Sequence, residues 1–101
     1  MAEERSLRWS GPALRDLRSL RAYVSLHRPD AARRLAARIR GDVERLTTLP
    51  ESGRVVPELG IEHIREVIVR PYRVIYEIRQ HDVVILRVLH ARQLIPESES
   101  D

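Results

Sequence analysis

The stretch 65–93, REVIVRPYRVIYEIRQHDVVILRVLHARQ, constrains the fold more than any other part of the chain, because nothing before or after it could form a sheet alone. Val67, Ile68 and Val69 run into Pro71; Val74, Tyr76 and Ile78 alternate with Arg73, Ile75, Glu77 and Arg79; and 83–89 is almost wholly apolar and rich in β-branched residues. That pattern predicts three consecutive strands. Their connections, Arg70-Pro71 and Gln80-His81-Asp82, are short enough that neighbours should pair antiparallel. In the last strand, strict alternation predicts Val84, Leu86 and Val88 on one face and Val83, Ile85 and Leu89 on the other, so both faces of the sheet need cover there.

The cover is encoded upstream. Ser6-Leu7-Arg8-Trp9 has period-two alternation and reads as a short first strand, stopped by Ser10-Gly11-Pro12. Ser10 suits a helix N-cap and Pro12 a first turn, and Ala13, Leu17, Leu20 and Val24 then recur on one face of a helix over about 12–26. Pro29 and Asp30 open a second helix, in which Ala32, Leu35, Ala36, Ile39, Val43 and Leu46 form one apolar stripe through about 47. Two amphipathic helices joined by a short turn make an antiparallel hairpin whose seam must lie on a sheet. Residues 50–60 read as one irregular connection into a strand over about 63–70, and the acidic segment 96–101 as a disordered tail. The expected fold is therefore α+β, in the order β-α-α-β-β-β, with the helix hairpin on one face of a small, mainly antiparallel sheet and a single domain over 1–95.

A chain of 101 residues without cysteine holds no disulfide, no thiolate zinc site and no cysteine nucleophile. No apolar run approaches the roughly 20 residues of a membrane span, and MAEER at the start does not lead into an apolar stretch, so a cytoplasmic protein with no membrane partner is expected. All eighteen basic residues are arginine and the net charge is +3, which favours partners with an acidic surface, either protein or nucleic acid.

Arg65, Arg73 and Arg87 lie on three separate strands, and alternation allows all three to project from the face opposite the helices as an anion-recognition surface; the alternative is a solvated face with pairing to Glu66 or Glu77. His90-Ala91-Arg92 ends the last strand, where a histidine beside an arginine could hold phosphate or move a proton. His27, His63, His81 and His90 have no metal-ligand spacing, and no glycine-rich loop suggests a cofactor. Apart from Tyr72, no aromatic ring is obviously available among the arginines for base stacking, which counts against single-stranded RNA.

PYRVIY followed by ILRVLHARQ resembles the carboxy-terminal half of the RelE/ParE toxin superfamily, and the likeness extends upstream through Leu49-Pro50, Gly53-Arg54 and Pro57 to the helical half. The resemblance implies a small bacterial toxin neutralised by a cognate antitoxin, ParD-like or otherwise acidic, and contact with operator DNA through the antitoxin complex. It also implies one of two targets, DNA gyrase for ParE-like members or, for RelE-like members, the ribosome, where mRNA is cleaved. Arg73 matches an arginine that both branches keep, and Arg92 lies near the late basic position of the nucleases. No tyrosine follows Arg92, and where the nucleases carry paired lysines this chain has Arg65 and Val67. A guanidinium with a pKa above about 12 is a poor general base, so His90 is left as the obvious proton acceptor. A gyrase-directed toxin is therefore expected, with Arg65, Arg73, Arg87 and Arg92 as target-binding or anion-binding residues. The alternatives are a ribosome-dependent mRNA endonuclease using Arg73, His90 and Arg92, and a non-toxic basic binding module outside the family. The outward helix faces carry Arg15, Arg18, Arg21, Arg33, Arg34, Arg38 and Arg40, where an acidic antitoxin segment is expected.

Overall fold

The computed structural model describes residues 4–93 and 95. In order these are β1 (Ser6–Trp9), α1 (Gly11–His27), α2 (Pro29–Glu44), two 3-10 turns (Arg45–Thr47 and Pro50–Ser52), β2 (Arg54–Val55), β3 (Ile64–Val69), β4 (Tyr72–Ile78) and β5 (Asp82–His90). One sheet runs β1-β5-β4-β3-β2. Its neighbours are antiparallel except β1, which lies parallel to β5 with Ser6 opposite Asp82 and Trp9 opposite Ile85. This is the α+β arrangement expected from the sequence. The short strand β2 falls in the stretch read as irregular, where two residues between Gly53 and Val56 carry no periodicity to detect.

Ser10 makes the corner between β1 and α1. Its hydroxyl accepts from the Ala13 N–H at 3.1 Å, capping the helix, and donates to the Leu86 carbonyl at 2.9 Å, while its own N–H donates to the Ile85 carbonyl. α1 is thereby pinned beside β5. Ala13, Leu17 and Leu20 on α1 and Ala32, Leu35, Ala36, Ile39 and Val43 on α2 are buried. Most of them join Leu46 in one core with Val69, Val74, Tyr76, Val83, Ile85 and Val88 of the sheet. Fully buried side chains such as Ile39, Leu46 and Ile85 each contribute about 1.5–3 kcal/mol.

Strict alternation fails in β5. Tyr76 opposes Ile85 but Ile75 opposes Arg87, so Leu86 is an extra residue and the phase reverses beyond it. Val88 consequently packs with Val83 and Ile85 against the helices, whereas Leu89 joins Val56 and Ile75 on the other face. That second face is covered by the chain itself: Ile64, Leu86 and Ile95 pack around Val56, Ile75 and Leu89. The segment 96–101 lies outside the described residues.

Tyr76 closes the far side of the core. Its hydroxyl donates to the Pro50 carbonyl at 2.6 Å and accepts from the Gly53 N–H at 3.0 Å. Gly53 has no room for a side chain, since a Cβ there would stand 2.5 Å from that hydroxyl and 2.6 Å from the Glu66 carbonyl. Among the described residues no helix is long and apolar enough to cross a membrane.

Candidate functional site

Arg73 stands opposite Ile68 on β3 and Leu89 on β5, on the face away from the helices, yet it is only 4% exposed. Its Nε donates to Glu66 Oε1 at 2.7 Å and its Nη2 lies 2.5 Å from the same oxygen. Nη1 and Nη2 donate to the two carboxylate oxygens of Glu58 at 2.7 and 2.9 Å, and Nη1 also donates to the Gln93 carbonyl at 3.1 Å. These contacts account for every N–H of the guanidinium. Glu66, whose side chain is fully buried, gives its second oxygen to Arg54 Nε at 2.6 Å. The hydrogen bond from Arg73 holds the Glu58 carboxyl down at about 2, against a penalty from burial, and the same bond raises Arg73 above its ordinary value. Two arginines and two carboxylates thus neutralise one another beneath the sheet.

The three arginines expected on one face do not gather into a cluster. Arg65 opposes Tyr76 and so belongs to the helix side; it donates to the carbonyls of Glu62 and Gly53, both at 3.0 Å. Arg87 stands opposite Ile75, on Arg73's side of the sheet, but at the free edge of β5 it donates to both oxygens of Asp16 on α1, at 2.7 and 3.2 Å. Asp16 also accepts the Val88 N–H at 2.9 Å, covering the edge of β5 beyond the end of β1. The correction is therefore geometric: the register puts Arg65 on the helix side and Arg73 and Arg87 on the other, and with Arg73 buried among carboxylates and Arg87 drawn to Asp16 at the strand edge no arginine triad forms. Pairing to Glu66, the alternative considered from the sequence, is what Arg73 does.

The groups that do converge sit at the end of β5. His90 opposes Tyr72, and the rings meet edge to face with centroids 5.9 Å apart. The Arg92 N–H donates to His90 Nδ1 at 3.2 Å, which leaves Nε2 to carry the proton of a neutral ring. His90, Ala91 and Arg92 line a cleft of about 590 Å³ with Ile68, Arg70 and Pro71. Arg70 and Arg92 are exposed, and their side chains form no hydrogen bond or ion pair among the described residues. Arg70 was not singled out in the sequence because it sits in a two-residue turn; Glu58 was not because it lies in a loop, fifteen positions from the arginine it pairs with. Arg15, Arg18, Arg21, Arg33, Arg34, Arg38 and Arg40 are all exposed on α1 and α2, Arg33 pairing with Asp30 at 2.9 Å.

Residues 7–95 match the family model described as ParE toxin of type II toxin-antitoxin system, parDE. This chain belongs to the ParE/RelE toxin superfamily. Among its relatives, Y4kP of Sinorhizobium fredii is 41% identical over 93 residues, covering 90% of this chain and 93% of the relative. Toxin RelE2 of Caulobacter vibrioides is 37% identical over 87 residues, 85% of this chain and 94% of the relative. The fold agrees with a chain of the chromosomal ParDE TA system from P. aeruginosa, at a TM-score of 0.73 and 21% identity over 88% of this chain and 98% of that one. It also agrees with a chain of the toxin-antitoxin complex RelBE2 from Mycobacterium tuberculosis, at 0.62 and 25% identity over 89% and 94%. Membership of the ParE/RelE superfamily removes the reading that set the chain outside the family. The relatives carry both branch names, so the choice of target rests on the site.

Proposed function

We propose that this ParE/RelE-family chain is a cytoplasmic toxin of the ParE-like kind, directed at DNA gyrase and neutralised by a cognate antitoxin. The observation that carries the reading is the saturation of Arg73. A nuclease of the RelE kind needs cations free to hold a scissile phosphate and a group to take a proton, whereas here Arg65, Arg73 and Arg87 are spent on carbonyls and carboxylates within the fold. What remains exposed is cationic surface: the arginines of α1 and α2, and Arg70 with Arg92 at the cleft. Such surface suits docking to an acidic protein. An antitoxin partner is in keeping with the toxin-antitoxin systems from which the similar folds come.

One observation favours the second reading, a ribosome-dependent mRNA endonuclease. His90 and Tyr72 touch beside Arg70 and Arg92, which brings a proton-transfer group and two cations to one cleft. Purified protein freed of antitoxin, assayed in parallel with gyrase and with translating ribosomes, separates the two. Loss of supercoiling with intact transcripts is expected, and site-specific mRNA cleavage with supercoiling untouched overturns the proposal.

A further inference from the structure

The turn that follows β5 is held from beneath. After β5 the backbone folds back on itself: the Gln93 N–H donates to the His90 carbonyl at 2.8 Å, the Gln93 side-chain oxygen accepts the His90 N–H at 3.3 Å, and the Ala91 N–H donates to the Pro71 carbonyl at 2.7 Å. This turn presents His90 and Arg92 to the cleft, and those local bonds are exposed to water. Two further bonds reach into the sheet. The Gln93 carbonyl accepts from Arg73 Nη1, and the Ile95 N–H donates to Glu58 Oε2 at 3.3 Å, so the two partners of one part-buried ion pair each hold a residue that follows β5. Ile95 in turn packs on Val56, Ile75 and Leu89, the cluster that closes the second sheet face.

We propose that Arg73 and Glu58 form a clasp that positions the turn 90–93 and Ile95, so that Arg73 acts on the target through the placement of His90 and Arg92 and not by touching it. Three facts converge on this. Arg73 has no N–H left for an outside ligand, it is buried, and its one bond outside the carboxylates goes to the segment in question. Glu58 is what makes the arrangement a device and not merely a buried pair, because its bidentate contact fixes the plane of the guanidinium and with it the direction of the bond to Gln93. The exposed groups of the cleft are thus oriented by a pair that lies under them.

Glu58 decides the matter by sign. If Arg73 were itself an anion-binding residue masked by carboxylates, Glu58→Ala would unmask it and strengthen the action on the target. If it is a positioning residue, the same change weakens that action. The experiment measures amide exchange at Gln93 and Ile95 in the full chain, with Val74 and Ile85 in the sheet core as internal references that divide out global destabilisation. Growth arrest on expression without antitoxin is measured beside it. Glu58→Ala is expected to raise exchange at both amides by about tenfold or more relative to the core, as loss of a charge-assisted bond implies, and to reduce growth arrest. Glu58→Gln, which keeps an acceptor oxygen, is expected between the two, and Glu62→Ala, the same charge change at an exposed site, at wild type. Exchange unchanged in Glu58→Ala, or growth arrest equal to or greater than wild type, overturns the proposal. The growth arm rests on the toxin reading above. A wild-type chain that arrests nothing defeats that reading, while the exchange arm still decides the clasp.

Discussion

Arg73 has two buried or half-buried carboxylates around it, and removing it leaves Glu66, whose side chain has no exposure, with Arg54 as its one counter-charge among the described residues. Arg73→Ala is therefore expected to cost about 3–5 kcal/mol in chemical denaturation, far more than Ala at an exposed arginine such as Arg18. The acid limb of stability belongs to Glu58. Its carboxyl titrates at about 2 in the folded chain against an ordinary 4.5, so the folded state is favoured fully above about 4.5 and loses that contribution as pH falls towards 2. Screening at a carboxylate 24% exposed reduces the effect to about 1–2 kcal/mol. Denaturation midpoints between pH 5 and 2 should fall more steeply for the wild type than for Glu58→Gln, and parallel slopes would exclude Glu58 as the source. Tyr76→Phe leaves the Gly53 N–H and the Pro50 carbonyl without the hydroxyl that serves both, and a loss of about 1–3 kcal/mol is expected by the same method.

Single elements were legible where their period is undisturbed. α2 buries Ala32, Leu35, Ala36, Ile39 and Val43, the stripe its spacing announces, and α1 begins at the serine cap. β5 was legible as a strand but not in its facing, because the extra residue Leu86 has no signature in a run of β-branched and aliphatic side chains. The consequence reaches the core, since a one-residue slip moves Val88 and Leu89 to exchanged faces; the arginine triad inferred from alternation fails separately, because Arg65 falls on the helix side and Arg87 pairs with Asp16 at the strand edge. Partners drawn from loops were invisible for a related reason. Glu58 answers a charge on β4 only once the connection over β2 has folded back across the sheet. The end of β5 has its own test. If the turn works by presenting cationic surface to a protein, His90→Gln should leave growth arrest largely intact, since an amide replaces a hydrogen bond but relays no proton at neutral pH. Abolished arrest with an unchanged melting temperature would instead support acid–base chemistry beside Tyr72.

At the scale of the whole molecule, the second face of the sheet has little apolar surface to offer a partner, because Val56, Leu86 and Ile95 close much of it from within the chain. The apolar surface still open on the helical side is on α1, where Leu14, Tyr23 and Leu26 are 44, 64 and 80% exposed, set among Arg15, Arg18 and Arg21. A groove of about 290 Å³ between β1 and the helices, lined by Leu7, Trp9, Leu14, Leu17 and Val43, continues that surface towards Arg40. An antitoxin segment that folds onto this side would bury aliphatic side chains along the groove and set acidic ones against the arginines. The complex is expected to be nanomolar or tighter, on the order of −12 kcal/mol, as for segments that order on contact over a large area. Electrostatics and burial should then separate in the rates. Association is steered by an arginine-rich surface and falls as salt is raised, whereas dissociation, governed by the packed groove, changes little. Arg15→Glu with Arg18→Glu should slow association by about tenfold at low salt, and Leu14→Ala should instead speed dissociation. Surface-plasmon measurements across ionic strength resolve the two, and an association rate indifferent to both salt and charge reversal would remove the antitoxin from the helix face.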